Sequence, residues 1–318
     1  MTGPDQMTRD RPACLTISGS GRSGTTILSV LLTQAPGVFN IGQLRDVLAG
    51  WAEDAPCTCG ESLTGCAVWG EVRRRALPDH AAADMTQADA ALRRFMAEAA
   101  ALSDWNAPEG LAHLAPAHRG ALDTLAALLR ALYAVSGARV LVDSSKSPEF
   151  ALACHLTGAV DLHVLNLARD PRAVAVSWAR KKPGKITQRL DAWGQRQRRL
   201  ARWRETEGLH HRSLRYEDFT ETPQQALRDV LHWVGEDLPP GLFDDTRTAQ
   251  VSWANQHLFP PSNETVLAEK RTRVAVRAPT DWRAPRHWPL HLRALIRSFP
   301  QGPAYVLRIG RSDRKPTP

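Results

Sequence analysis

The stretch Gly19-Ser20-Gly21-Arg22-Ser23-Gly24-Thr25-Thr26 constrains this chain more than any other. Before it, the apolar run Cys14-Leu15-Thr16-Ile17 reads as a buried strand; after it, Ile27-Leu28-Ser29-Val30-Leu31-Leu32 reads as a helix. Strand, glycine-rich turn and helix start together make an anion-binding device. The glycines let backbone N–H groups point inward, and the helix N-terminus adds partial positive charge. The hydroxyls of Thr25 and Thr26 and the guanidinium of Arg22 are suited to gripping phosphate or sulfonate oxygens. Gly19 and Gly24 have the spacing of a Walker A loop, yet Thr25 occupies the position of its lysine. The positive charge sits instead at Arg22, inside the loop. A plain Gly/Ser turn without a ligand is the competing reading, and the rest of the chain speaks against it.

Further along, strands and helices alternate. Val38-Phe39-Asn40-Ile41 reads as a second strand running into Gly42-Gln43, and Gly42-Gln43-Leu44-Arg45-Asp46 opens a helix. Arg139 to Val142 reads as a strand ending in the polar cluster Asp143-Ser144-Ser145-Lys146, with Pro148 starting a helix. Leu162 to Ala168 repeats that design, ending in Arg169-Asp170-Pro171-Arg172 and a helix to Arg180 that carries Ser177 and Trp178. A basic loop, Lys181-Lys182-Pro183-Gly184-Lys185, leads to an Arg-studded helix over about 187–207. A strand over 211–215 and a helix from Pro223 to Val234 follow. The segment 246–288 is rich in Trp and Pro and reads as a loop covering a site, before a helix over about 290–298. This alternation predicts an α/β, three-layer fold with a central mainly parallel sheet. One domain over 12–300 is expected, with flexible tails at 1–11 and 301–318. Residues 57–136 form a helical insertion, with Ala-rich helices near 84–103 and 117–136 and a break at 105–110. It is expected either to act as an acceptor lid or simply to pack.

Composition excludes several classes. Hydrophobic residues at 43% and charged residues at 23% are ordinary for a globular chain, and no apolar run approaches a membrane span. The polar start, Met1 to Arg11, lacks a signal peptide's apolar core, so the expected compartment is the cytoplasm. The net charge of +8 is carried mostly by Arg, which suits phosphate and sulfate contacts, although a compositional bias explains it equally well. No nucleic-acid recognition motif accompanies it. Five cysteines are too few for a disulfide scaffold. Three of them cluster as Cys57-Thr58-Cys59 and Cys66. C-x-C spacing is atypical for zinc and a fourth ligand is missing, so a reduced structural cluster, a local disulfide and a zinc site are expected in that order.

Taken together, these segments resemble the sulfotransferases that use 3′-phosphoadenosine-5′-phosphosulfate (PAPS), and most closely the bacterial members related to carbohydrate and protein-tyrosine sulfotransferases. Gly21-Arg22-Ser23-Gly24-Thr25-Thr26 is similar to that family's 5′-phosphosulfate loop, and Arg169-Asp170-Pro171-Arg172 with Ser177 to its 3′-phosphate motif. Asp143 to Lys146, Leu214 to Asp218, and Cys57-x-Cys59-Gly60 with Cys66-x-x-Trp69 are similar to further segments, in the family's order over about 14–290. The resemblance implies a P-loop-like fold, PAPS as donor, 3′,5′-adenosine bisphosphate as product and no required metal. It also implies Tyr216 near the adenine and Lys146 at the leaving phosphate or sulfonyl group. For Arg169-Asp170, a surface ion pair is the plain alternative.

Two departures stand out. Many relatives have a glutamate base after the glycine that ends the second strand; here Gly42 is followed by Gln43, and a neutral amide is no base near pH 7. Asp46 or His257 takes the role, the acceptor is an acidic phenol or an amine needing little help, or catalysis is weak. Relatives also carry a His, a Gly-Asn pair and a closing basic residue; here His257 precedes Pro261-Ser262-Asn263, and Arg271 is the expected cation.

The expected partner is a small-molecule acceptor, such as a specialised natural product, rather than nucleic acid or membrane, with the chain a monomer or homodimer. The rival readings are a P-loop kinase or ATPase, with Asp143 as its Walker B aspartate, and a non-catalytic nucleotide-binding protein.

Overall fold

In the computed structural model, residues 11–79, 81–102, 108–203, 210–254, 256–260 and 269–309 are described. Five strands form one parallel sheet in the order β2-β3-β1-β4-β5: β1 Ala13–Ser18, β2 Val38–Gly42, β3 Val140–Asp143, β4 Asp161–Ala168 and β5 His210–Arg215. β1, which feeds the glycine loop, therefore lies in the middle. The chain leaves it toward β2 and β3 on one side and later crosses to β4 and β5 on the other. In open α/β sheets such a reversal leaves a ligand crevice at the C-terminal strand ends.

β1 and β3, and most of β2 and β4, are buried and largely apolar because both sheet faces are covered there, whereas the edge strand β5 (HHRSLR) is polar and partly exposed. Alternate residues sort cleanly between the two cores. Cys14, Leu141, Leu162 and Val164 share one core with Trp69, Phe95, Leu125 and Leu129. Leu15, Ile17, Val140, Val142, Leu165 and Leu167 share the other with Leu28, Leu31, Leu227 and Leu231. The first of these cores is built largely by the 57–136 block, through α3 (Ala67–Ala76), α4 (Ala82–Ala101), α5 (Pro108–Ala117) and α6 (Arg119–Ser136). The described residues of that block pack against the sheet through this core. α5 starts inside the expected break at 105–110, with Pro108 as its first residue.

Two further expectations need correcting. The 246–288 segment is not wholly irregular: β6 (Thr248–Gln250) and β7 (Arg273–Ala275) pair antiparallel within it. The chain after 300 is not a loose tail throughout, because Gln301–Ile309 forms a helix. Pro303 lies in the first turn of this helix, where a proline costs no intrahelical hydrogen bond. Tyr305 holds this helix down by donating its hydroxyl to Ala168 O (3.1 Å) and to Glu217 Oε2 (2.6 Å). Its ring meets Trp193 edge-on at 6.0 Å. Among the described residues, no helix is long and apolar enough to cross a membrane.

Tyr305→Ala should lower the unfolding free energy by about 2–4 kcal/mol, the usual scale for truncating a packed, hydrogen-bonded aromatic side chain. Urea denaturation measures this, and an unchanged midpoint would mean that the helix is only loosely attached.

Candidate active site

The loop after β1 runs into α1 (Thr25–Leu32) through Gly24, the N-cap residue, at φ 82°. No side chain caps this helix start and its first turn holds no acidic residue. Its uncapped amides are thus available to an anion. A Cβ at Gly24 would lie 2.5 Å from the Tyr216 ring, so glycine is required both for the left-handed backbone and for the close approach. Arg22 and Lys146 also adopt positive φ, 76° and 62°, an uncommon state for non-glycine residues that clusters at functional sites.

Around this loop lies a cavity of about 820 Å³. Gly21, Arg22, Gly24, Thr25 and Thr26 line it from the loop, Lys146 from the end of β3, and Arg169 from the end of β4. Ser177, Trp178, Arg180 and Lys181 contribute from α8 (Pro171–Lys181), and Tyr216 from the end of β5. Arg271, Arg273, Asp281 and Trp282 close it from the C-terminal part. Seven of these residues are basic (Arg22, Lys146, Arg169, Arg180, Lys181, Arg271, Arg273), against the single acid Asp281, which is paired with Arg180 at 2.5 Å. A polyanion is the ligand such a field attracts.

Within the cavity, the loop and the Arg169 motif are physically joined. Arg169 donates from Nη1 to Arg22 O at 2.8 Å and lies over the Tyr216 ring, 4.4 Å from its centroid. Arg22 donates from Nε to Ser177 Oγ at 3.0 Å. Asp170 does not pair with Arg169. It is fully buried, caps α8 by accepting from Arg172 N (2.9 Å), and binds the Arg172 guanidinium (Nη2–Oδ2 2.7 Å). The surface-pair alternative thus gives way to a division of labour: Asp170 builds the helix start and Arg169 faces the cavity. Burial pulls the Arg169 pKa below its ordinary value and pushes that of Tyr216 up. An anion entering here meets a guanidinium already stripped of much of its water.

A smaller cavity, about 30 Å³, adjoins on the β2 side and is lined by Thr26, Ser29, Asn40, Gly42, Gln43, Ser144, Lys146, Leu258, Phe259 and Pro260. Thr26 and Lys146 line both cavities. The Gln43 position is pinned from two sides. Its N–H donates to Phe259 O at 2.5 Å, and the next residue, Leu44, donates its N–H to Asp143 Oδ1 at 3.1 Å. Asp143, fully buried, also accepts from Ser145 Oγ (2.5 Å) and Ser145 N (3.2 Å). Burial raises its pKa to about 6, against the lowering by these hydrogen bonds. Its oxygens hold the Leu44 and Ser145 backbone, an arrangement that does not suit a Walker B aspartate binding magnesium.

Other expected residues fall elsewhere. Asp46 lines neither cavity; its carboxylate is gripped by Arg45 (3.0 Å) and Arg93 (3.4 Å). His257 lines neither cavity, and its Nδ1 lies 3.2 Å from Cys66 Sγ. The Ser23 side chain is buried beneath the loop, sharing a 2.8 Å hydrogen bond with Ser20. Arg271 lines the large cavity while pairing with Glu269, and Ser262 and Asn263 lie outside the described residues. Sequence reasoning missed Trp178, Trp282 and Arg180 as lining residues. Trp178, next to Ser177, packs so closely that a Cβ at Gly21 would be 2.8 Å from its ring. That adjacency was the available signal.

A family model described as the sulfotransferase family matches residues 14–240. Among solved structures, the sulfotransferase domain of the Synechococcus PCC 7002 olefin synthase is similar at 20% identity, covering 72% of this chain and 75% of that one, with a TM-score of 0.41. A sulfotransferase from Alicyclobacillus acidocaldarius is similar at 16% identity, covering 80% and 88%, with a TM-score of 0.36. No curated protein matches the chain.

The Asp143 pKa has a measurable consequence. A folded-state value near 6 exceeds the unfolded one, so the native state binds this proton more tightly. Relative to Asp143→Asn, the wild type should lose on the order of 2 kcal/mol of stability as pH rises from about 4 to 6. Urea unfolding of both proteins across that range reads the difference. A gap independent of pH would mean that burial does not perturb this carboxyl.

Proposed function

The chain belongs to the sulfotransferase family, and from that premise we propose that it transfers a sulfonate group from PAPS to a hydroxyl or amine of a small-molecule acceptor, releasing 3′,5′-adenosine bisphosphate. One observation carries the donor assignment: two anion-binding groups, the uncapped helix start at Gly24–Thr26 and the Arg169–Ser177 pair, share one strongly basic cavity and are linked through Arg22. A nucleotide bearing anions at both its 5′ and 3′ positions matches that layout. ATP, with all its phosphates on one end, does not.

In this reading Thr25, Thr26 and the α1 amides hold the 5′ end, and Arg169 and Ser177 hold the 3′-phosphate. Arg22 stands between them, because its Nε already contacts Ser177. Tyr216 and Trp178 offer the cavity's aromatic surface to the adenine. Lys146, shared by both cavities, supplies positive charge where charge grows on the leaving oxygen. Sulfuryl transfer, like phosphoryl transfer, gains most from such positioning and electrostatics.

The small cavity beside Gln43 has room for little more than the reacting group of the acceptor. Among the described residues, none that lines it is an acid or a histidine. Asp46 and His257, the candidate replacements for the base, are engaged elsewhere. This favours an acceptor that brings its own reactivity, an acidic phenol or an amine, with the Gln43 amide oriented toward its N–H or O–H. The kinase reading is weakened by Thr25 in the lysine position and by the occupied Asp143 carboxylate. The non-catalytic reading is separated by assay for a sulfonated product.

Isothermal titration should show 3′,5′-adenosine bisphosphate binding without magnesium, weakened by about 1.5–3 kcal/mol in Arg169→Ala, the scale of a charged hydrogen bond. Unchanged affinity would move the 3′-phosphate elsewhere, and magnesium-dependent ATP binding in its place would overturn the donor assignment. Gln43→Glu should speed sulfonation of simple alcohols by about 10²-fold, the lower range for a positioned general base. Equal loss toward alcohols and phenols in steady-state kinetics would show instead that the amide binds the acceptor.

A further inference from the structure

The cysteines of the 57–66 loop take no part in the site above, and His257 lies against them rather than in either cavity. We propose that Cys57, Cys59, Cys66 and His257 bind one zinc ion, forming a closed structural centre that fastens the 57–66 loop to the 256–259 segment. The three sulfurs and one imidazole nitrogen all lie within 4.8 Å of one another. Cys57 Sγ and Cys66 Sγ are 3.8 Å apart, and two thiolates at about 2.3 Å from a tetrahedral zinc would also stand about 3.8 Å apart. His257 Nδ1 is 3.2 Å from Cys66 Sγ, within a few tenths of an ångström of the tetrahedral spacing. All five cysteines of the chain are free, so no disulfide competes for these sulfurs.

The surroundings hold the ligands in place before any metal arrives. Gly60 N donates to Cys57 O (3.1 Å), closing a turn that Gly60 permits with φ 105° and that brings Cys57 and Cys59 together. Cys66 is the N-cap residue of α3, so that helix starts at its sulfur. On the far side, Trp69 Nε1 donates to His257 O (2.7 Å), and Thr58 exchanges hydrogen bonds with Gln256 and Leu258. Such outer contacts fix the orientation of metal ligands. Three cysteines and one histidine leave no open position, which marks a structural rather than a catalytic zinc. Binding converts three thiols to thiolates and releases their protons to solvent, with no redox change.

The centre would also have a reason to exist. Two residues beyond His257, Phe259 accepts from Gln43 N and bridges Gly42, and Leu258 to Pro260 form a wall of the small cavity. Fastening His257 therefore fixes that wall. The proposal concerns metal content and is independent of the donor assignment.

The test is the zinc content of the full chain, purified without chelators and measured by inductively coupled plasma mass spectrometry. About one zinc per chain is expected, lost in Cys66→Ser and in Cys59→Ser, the latter replacing an exposed side chain outside the core. Asp161, His163 and His210 also gather possible ligand atoms, so His210→Ala serves as a control and should keep its zinc. Cobalt substitution should give thiolate-to-cobalt charge-transfer absorption that weakens in Cys59→Ser. Zinc retained by both cysteine variants, a folded wild type with less than about a tenth of an equivalent and no cobalt signal, or a Cys57–Cys66 disulfide in peptide mapping would each overturn the proposal.

Discussion

The contact between Arg169 and the Arg22 carbonyl holds the site together. It joins the end of β4 to the loop after β1, and the same guanidinium lies on Tyr216 at the end of β5. Three strand ends are thus tied through one buried cation. Such a cation is expensive to bury unless its hydrogen bonds and charge are answered. Within the protein a carbonyl, an aromatic face and the nearby charges of Glu217 and Asp170 answer it, while burial still pulls its pKa down. The basic lining of the cavity, with seven Arg and Lys against one acid, is what suits it to the anionic donor proposed above.

Next to it, the chain solves a different problem with backbone contacts. Gln43 sits where β2 ends, with its own N–H on Phe259 and its neighbour's N–H on Asp143. Asp143 is held in the protein interior although it is ionisable, and its oxygens fasten backbone rather than ligand. Among the described residues, the lining of the small cavity therefore carries one titratable side chain, Lys146, with the Asp143 carboxylate turned to the backbone behind it. For the transfer proposed above, that combination favours positioning and positive charge over proton abstraction.

Much of this was legible along the chain. The strand–loop–helix at 13–32 encodes its own geometry, because glycine spacing, apolar runs and an uncapped helix start act within a few residues. The same is true of Asp170-Pro171, which announces a helix start, and of the alternating strands that predict a sheet covered on both faces. Other readings depended on contacts in space. The stretch after 300 reads as a flexible tail, yet 301–309 is helical, with Tyr305 tied to Ala168 and Glu217. Asp46, a candidate base by residue type, is seen only in space to be held by Arg45 and Arg93.

Local order dictated the class of fold, the anion-binding loop and the residue types available for catalysis, since each depends on neighbours within one or two turns. Tertiary structure decided which distant groups meet. Arg22 and Ser177 are separated by 155 residues and Cys66 and His257 by 191, so no periodicity links them. Their meeting follows from the sheet order, which puts β1 between β3 and β4, and from the return of the 256–260 segment to the end of β2. For the same reason the cysteine cluster looked one ligand short along the chain and complete in space.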